Sequence, residues 1–217
     1  MKKIDLVKPE EIEKKSFEII EKELLQKNIN LGRQNAPVIK RVIHTTADFD
    51  FASTLRFSTN AVIFAKNLLK RGADIVTDTN MTKAGINKKL LADLGGHVHC
   101  FMADEAVAME AEKRGVTRAC VSMERAALLG KKLIFALGNA PTALITLYEM
   151  HKTGVYTPDF VIGVPVGFVN VTDAKELFLN EAENPVPFII NEGRKGGSTV
   201  AAAICNALLY EIRAGNE

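Results

Sequence analysis

Leu133-Ile-Phe-Ala-Leu-Gly-Asn-Ala-Pro-Thr-Ala143 is the stretch of sequence that decides the fold. Its first five residues are all apolar, which is typical of a strand buried on both faces of a parallel sheet. Gly138 and Asn139 end the strand, and Pro141 can open a helix because proline suits the first helical turn. The stretch therefore predicts one strand-to-helix unit of an α/β fold.

Similar units lie on both sides of this stretch. The predicted strands cover residues 73–77, 97–101, 133–137, 160–164 and 187–190, with helical patterns between them. This alternation predicts a three-layer α/β fold, in which a parallel sheet of about five strands carries helices on both faces. We expect residues 1–217 to form a single domain, with a mainly helical region, 1–72, packed on the α/β core, 73–217.

Three helices are predicted in the first 72 residues. The first begins at Pro9 and runs to about residue 27, with Ile12, Ser16, Ile20 and Leu24 spaced by four on its inner face. The second, if the segment that Pro37 opens is helical, begins at that proline; a strand or a broken helix is the alternative. The third is predicted to run through Leu69 and to be capped by Ser58 or Thr59.

Composition and charge exclude several classes of function. Hydrophobic residues make up 47% and charged residues 25% of the chain, as in an ordinary soluble globular protein. No apolar run is long enough for a membrane span, and the first residues lack the apolar core of a signal peptide, so we expect a cytoplasmic protein. Three widely spaced cysteines argue against a disulfide framework. A net charge of +2 is too small to indicate nucleic-acid binding.

The segment Arg41-Val-Ile-His44-Thr-Thr-Ala-Asp48-Phe-Asp50 concentrates polar chemistry in an apolar region. If the segment is helical, Arg41, His44, Thr45 and Asp48 share one face; its β-branched run leaves a strand or a broken helix open. Histidine can give and take protons near neutral pH, and arginine can anchor an anionic ligand. A solvated segment with a structural histidine is the alternative, but the neighbouring residues favour a functional site.

Glycine-rich loops follow three of the predicted strands, where open α/β sheets bind their ligands. They are residues 138–143, 163–168 and 193–198. Each loop alone is ordinary turn chemistry, but the three together, with Arg194 and Lys195, predict a polyanionic ligand held by backbone N–H groups and helix N-termini. None of the loops matches a nucleotide-binding fingerprint, and multiple carboxylates fit them as well as phosphate does.

Other polar residues allow two interpretations each. Ser16 either bonds back to its own helix or points its hydroxyl at a ligand. Asp78 ends a strand and either caps the next segment or contacts the ligand. His97 and His99 share a strand face, but a metal site there lacks a third well-spaced ligand. His151 lies near a helix end and is expected to be structural.

Six stretches of this sequence carry a family resemblance. They are Ser16-Phe-Glu-Ile-Ile20, Arg41-Val-Ile-His44, Gly72-Ala-Asp-Ile-Val-Thr-Asp78, Gly138-Asn-Ala-Pro-Thr-Ala143, Gly163-Val-Pro-Val-Gly-Phe-Val169 and Gly193-Arg-Lys-Gly-Gly-Ser198. In this order and spacing they resemble the precorrin-8 methylmutase family of corrinoid (vitamin B12) biosynthesis, whose substrate is metal-free or contains cobalt. The resemblance runs from about Ile12 to the final helix.

This resemblance implies a flavodoxin-like fold and a homodimer with its site near the subunit interface. It implies an isomerase that moves a methyl group from C-11 to C-12 of precorrin-8 or cobalt-precorrin-8 and gives a cobyrinate-type corrin. His44 stands at the position of the family's catalytic histidine, and Ser16 and Arg41 stand at substrate-contacting positions. The substrate is a tetrapyrrole with many carboxylate arms. No cofactor is implied, and any cobalt belongs to the substrate.

The predicted site therefore has His44 as proton donor and acceptor and no metal ligand. The predicted substrate-binding residues are Ser16, Arg41, Thr45, Asp78, Asn139, Thr142, Gly193, Arg194, Lys195, Gly196, Gly197 and Ser198. One alternative is a non-catalytic corrinoid carrier, which would use the same loops without needing His44. Another is a phosphate- or nucleotide-binding α/β protein such as a transferase, against which the missing nucleotide fingerprint counts.

Overall fold

A mixed sheet lies at the centre of the computed structural model, which describes residues 8–183 and 185–215. Its strands are β1 (Leu55–Phe57), β2 (Asp74–Thr77), β3 (Val98–His99), β4 (Leu133–Leu137), β5 (Phe160–Gly163) and β6 (Phe188–Asn191). They lie in the order β1-β6-β5-β4-β2-β3. The neighbours from β6 to β3 are parallel, whereas β1 pairs antiparallel with β6 at the edge.

Helices cover both faces of this sheet. They are α1 (Pro9–Gln26), α2 (Ala36–Thr46), α3 (Phe51–Thr54), α4 (Ala61–Lys70), α5 (Asn80–Gly85), α6 (Lys88–Asp93), α7 (Glu105–Arg114), α8 (Arg118–Ala127), α9 (Pro141–Lys152), α10 (Val171–Leu179) and α11 (Ser198–Ala214). Among the described residues, no helix combines the length and the apolar character needed to cross a bilayer.

Each face of the sheet has its own apolar core, because successive strand side chains point to opposite faces. Ile75 and Ile134 pack on one face with α1, α2, α4 and α11. Val76 and Phe135, their neighbours in sequence, pack on the other face with α8, α9 and α10. The predicted layering of helix, sheet and helix is confirmed, and the predicted strands match β2 to β6, although β3 covers only two residues.

The edge strand β1 was absent from the sequence prediction, which gave about five strands. Ser58 is also not the cap of α4: its hydroxyl accepts from the Phe188 amide at 2.9 Å and so extends the β1–β6 pairing. Helix α4 instead begins after Asn60, a residue in the left-handed region with φ of 56°. A strand of three residues has no periodicity of its own, and its partner lies more than 130 residues away in sequence.

Candidate active site

Helix α2 presents Arg41, His44 and Thr45 on one face. Its opposite face carries the buried residues Val38, Ile39, Val42 and Ile43. The predicted fourth member of the polar face, Asp48, lies outside the helix. The helix ends at Thr46, and Ala47 takes a left-handed conformation with φ of 53° that turns the chain away.

A cavity of about 270 Å³ opens between α2, the end of α5 and α11. Its lining comprises Arg41, His44, Thr45, Gly85, Thr199, Ala202, Ala203, Asn206 and Tyr210. The predicted stripe of α2 therefore faces one continuous stripe of α11, whose lining residues repeat at intervals of three or four. The two alanines keep the middle of the cavity apolar, while the hydroxyl and amide groups lie around it.

Two aromatic rings contact the Arg41 guanidinium. Its carbon atom lies 4.8 Å from the Phe17 ring centre and 4.9 Å from the Tyr210 ring centre. The guanidinium also forms an ion pair with Glu13, and only 18% of the Arg41 side chain is exposed. Two cation–π contacts fix the plane in which this cation offers its N–H groups. An anionic ligand that binds Arg41 has to compete with Glu13, which is 56% exposed.

His44 is exposed at the cavity, where its ring stacks on Phe17 with centres 5.2 Å apart and planes 21° from parallel. Across residues 8–183 and 185–215, no hydrogen bond or ion pair engages either ring nitrogen of His44. Phe17 thus contacts both Arg41 and His44 and sets their relative orientation. The arrangement leaves an oriented imidazole that can exchange a proton with a bound molecule.

The two hydroxyls of α1 and α2 that were predicted to contact ligand bond back to their own helices. Ser16 donates to the Ile12 carbonyl at 2.8 Å, and Thr45 donates to the Arg41 carbonyl at 2.9 Å. Ser16 therefore matches the alternative left open in the sequence, although its oxygen can still accept a hydrogen bond. Thr45 lines the cavity, and Ser16 lies beside Phe17 on α1.

The loop after β6 reaches the end of α2 through Lys195. The Lys195 ammonium lies 2.6 Å from a carboxylate oxygen of Asp48 and 2.6 Å from one of Asp50. The hydrogen bond from Lys195 lowers the pKa of Asp48, and the two carboxylates raise the pKa of Lys195. Arg194 instead lies over the ring of Phe168, 5.4 Å from its centre, and Phe168 is 83% exposed.

The three glycine-rich loops lie next to each other at the carboxyl edge of the sheet. A Cβ atom on Gly138 would lie 2.7 Å from the Ser198 Cα, and one on Gly196 would lie 2.1 Å from the Val164 carbonyl oxygen. The Gly197 amide donates to that same carbonyl at 2.9 Å. Glycine is needed here because the loop backbones touch each other, rather than because a ligand approaches them.

Asp78 holds this convergence from inside and does not face a ligand, contrary to its place in the predicted substrate set. Its carboxylate is fully buried and accepts from the amides of Gly138 at 2.9 Å, Asn139 at 2.7 Å and Ala140 at 2.6 Å. Burial raises the pKa of Asp78, and the three amide hydrogen bonds oppose that rise. Asp78 therefore shapes the loop that follows β4.

None of the predicted residues of this edge, Asn139, Thr142 and 193–198, lines the cavity. Thr142 accepts from the Thr117 hydroxyl at 3.1 Å and belongs to α9, on the opposite face of the sheet from α2. Ser198 is hydrogen-bonded to the Thr79 hydroxyl at 2.9 Å. It directly precedes Thr199, the first residue of α11 that lines the cavity. Asn139 lies exposed on the loop that Asp78 holds.

The remaining histidines lie elsewhere. His97 and His99 approach Asp74, with His99 Nε2 2.9 Å from an Asp74 oxygen. In the part of the chain that the structure describes, no group of three His, Cys, Asp or Glu residues could hold a metal ion. His151 is buried and contacts the Thr157 hydroxyl at 3.1 Å, as expected of a structural histidine.

Sequence reasoning missed the contribution of α11 and of Phe17. Thr199, Asn206 and Tyr210 lie in a helix that is otherwise apolar, and the sequence analysis treated the helix as cover for the sheet. Their spacing of seven and then four residues would place them on one helical face. A row of polar residues on one face of an otherwise apolar helix is the sequence pattern that could have indicated these three residues.

Comparison with known proteins gives a consistent result. A family model described as precorrin-8X methylmutase matches residues 11–211. A cobalt-precorrin-8 methylmutase of Salmonella typhimurium is 42% identical, covering 94% of this chain and 96% of its own. One of Priestia megaterium is 40% identical over 93% of this chain and 88% of its own. A precorrin-8x methyl mutase structure from Thermus thermophilus has a TM-score of 0.82 at 36% identity, covering 95% and 100% of the two chains.

Proposed function

This chain belongs to the precorrin-8X methylmutase family, and we propose that His44 is the proton donor and acceptor of its reaction. The chain is accordingly an isomerase of cobalamin biosynthesis. We propose that it moves a methyl group from C-11 to C-12 of precorrin-8, to give a cobyrinate-type corrin. The observation that supports this most is the cavity in which His44, whose ring nitrogens have no partner among the described residues, lies beside an arginine that contacts two aromatic rings.

The reaction requires two things of the protein: a proton for the macrocycle and a fixed geometry of the bound ring. One C–CH₃ bond breaks at C-11 and another forms at C-12 of the same conjugated ring, so the reaction balances without an external acceptor or an electron carrier. Protonation of the macrocycle makes the migration terminus electron-poor and lowers the barrier. General acid–base help of this kind is worth ~10²–10⁴-fold, and the fixed geometry of the bound ring contributes the remainder.

The cations and hydroxyls around the cavity suit a substrate with many carboxylate arms. We propose that Arg41, Ser16 and Thr45 contact arms near the reacting ring, because they lie on α1 and α2 beside His44. We propose that the loop before α11 binds outer arms through Arg194, Lys195 and the amides of Gly193, Gly196 and Ser198. Asn139 is proposed to bind another arm from the neighbouring loop. Arginine is suited to this role because its planar fork matches a carboxylate.

We propose a homodimer in which a second copy completes the site. The cavity of about 270 Å³ is below the ~300–1,000 Å³ that drug-sized ligands occupy, and a tetrapyrrole needs more room. Sedimentation equilibrium at the assay concentration should give about twice the chain mass of 23.7 kDa. The mass of one chain, with full activity, would contradict the proposal.

The parallel strands also support the finer prediction of a flavodoxin-like sheet in one domain. Numbered along the chain, β2 to β6 follow the order 2-1-3-4-5 across the sheet, the order of that fold. The packing of α2 on α11 supports one domain, which a single cooperative unfolding transition would test. Free thiols at Cys100, Cys120 and Cys205 support a cytoplasmic location, which cell fractionation would test.

The direct test is turnover of the substrate by the purified chain. We expect incubation with precorrin-8 or cobalt-precorrin-8 to give a product of unchanged mass, a new absorption spectrum and a methyl group at C-12 by NMR. We propose the cobalt form as the preferred substrate, because relatives at 38–42% identity are named for it. A corrinoid carrier would shift the substrate spectrum without forming product. Thermal stabilisation by nucleotides, and none by corrinoids, would favour the nucleotide-binding alternative.

A further inference from the structure

Lys175 of α10 is a lysine buried inside the protein, with 1% of its surface exposed. Its ammonium donates to the Gly193 carbonyl at 2.6 Å and to the Lys195 carbonyl at 3.0 Å. Within the described residues it forms no ion pair with a carboxylate. A buried ammonium is unfavourable unless hydrogen bonds satisfy it, and here the acceptors are two carbonyls of the glycine-rich loop.

A second buried side chain holds the same part of this loop. The Asn191 amide donates to the Lys195 carbonyl at 2.9 Å and to the Glu192 carbonyl at 3.0 Å. Its own oxygen accepts from the Thr54 hydroxyl at 2.7 Å. The Lys195 carbonyl therefore receives two donors from inside, while the Lys195 ammonium reaches outward to Asp48 and Asp50. Lys195 is therefore bound at its carbonyl from inside the protein and at its ammonium from outside.

We infer that Lys175 is a positioning residue for substrate binding, which fixes the loop of residues 193–198 from the face opposite to the His44 cavity. With the Gly193 and Lys195 carbonyls bound from inside the protein, the Lys195 ammonium stays directed toward the end of α2. Hydrogen bonds with a charged donor are about twice as strong as neutral ones, which suits a loop rich in glycine. The inference rests on the proposed function, because the carboxylate arms of the substrate are what the loop would bind.

Substitution of Lys175 by methionine tests the role, since methionine keeps the length of the side chain and removes its donors. We expect the KM for cobalt-precorrin-8 to rise about tenfold while kcat changes less than threefold, because His44 and Arg41 lie on helices that Lys175 does not contact. The matched control is Lys132→Met, which removes an exposed lysine paired with Asp159. A merely structural role would instead lower the active fraction, and with it the apparent kcat, at unchanged KM.

The pH dependence gives a second readout in the unmodified protein. Burial lowers the pKa of Lys175 to about 8. The charged groups that line the adjoining cavity of about 440 Å³ with Lys175 are Glu176 and Glu192. Wild-type KM should therefore rise about threefold from pH 7 to pH 9.5 as the ammonium loses its proton and its hydrogen bonds weaken, and K175M should lack this rise.

Each outcome separates the inference from the proposed function. If the wild-type chain forms no isomer at all, the proposed function fails. If it turns over normally and folded K175M keeps the wild-type KM, the role of Lys175 fails while the function stands. If K175M does not fold, the wild-type profile decides: a flat KM between pH 7 and pH 9.5 overturns the inference.

Discussion

Replacement of His44 by asparagine is expected to lower kcat by about 10²–10⁴-fold and to leave the substrate Kd within about threefold of wild type. Asparagine keeps a polar group of similar size at the cavity but cannot donate and recover a proton near neutral pH. The contacts proposed for the carboxylate arms come from Arg41 and from the loop of residues 193–198, and the substitution leaves them in place.

The measurement combines single-turnover kinetics with a binding titration followed by the substrate spectrum. His97→Asn is the matched control, because His97 is 67% exposed and lies beside Asp74, outside the cavity. The control should keep the wild-type kcat. Full turnover by a folded His44→Asn protein would remove His44 from the mechanism. Loss of binding together with turnover would give His44 a contact role in place of an acid–base role.

The position of this cavity shows what the helical N-terminal region adds to the α/β core. In open α/β sheets the usual crevice lies where the strand order reverses, which here is between the carboxyl ends of β2 and β4. That crevice is filled by the Asp78 carboxylate and the amides that it accepts from. The cavity instead lies between α2 and α11. His44 and Arg41 therefore come from the helical N-terminal region and not from the alternating strands and helices.

Sequence patterns predicted those elements whose conformation is set by residues close together in the chain. The apolar run of residues 133–137 became β4 without a shift, and Pro141 opens α9 as expected. The apolar face of α2 was also predictable, because Val38, Ile39, Val42 and Ile43 repeat with a helical period. The segment is helical in spite of its β-branched run.

The parts that could not be predicted depend on contacts between distant residues. Strand β1 exists because it pairs with β6, and the role of Asp78 depends on three amides about 60 residues further along the chain. The ligand-facing interpretation of Asp78 failed because a carboxylate at the end of β2 can also accept from the loop after β4, its neighbour in the sheet. No pattern in the sequence of β2 reveals which of the two occurs.

The largest expected loss of stability comes from Asp78→Ala. The substitution would leave the amides of Gly138, Asn139 and Ala140 without their acceptor, and the hydrogen bonds of Gly138 and Ala140 are buried. A buried donor left unpaired costs about 1–3 kcal/mol, so we expect the free energy of unfolding to fall by about 3–5 kcal/mol. That is a large part of the ~5–15 kcal/mol that stabilises a typical folded chain.

Urea unfolding of Asp78→Ala, followed by circular dichroism, would measure this loss. Asp93→Ala is the matched control on exposed helix surface and should stay within about 0.5 kcal/mol of wild type. Asp78→Asn, which keeps one acceptor oxygen but adds donors that face the amides, should fall between the two. A loss below about 1 kcal/mol for Asp78→Ala would mean that the amides find other partners. The convergence of the glycine loops would then rest on backbone packing at Gly138 and Gly196 alone, without the carboxylate.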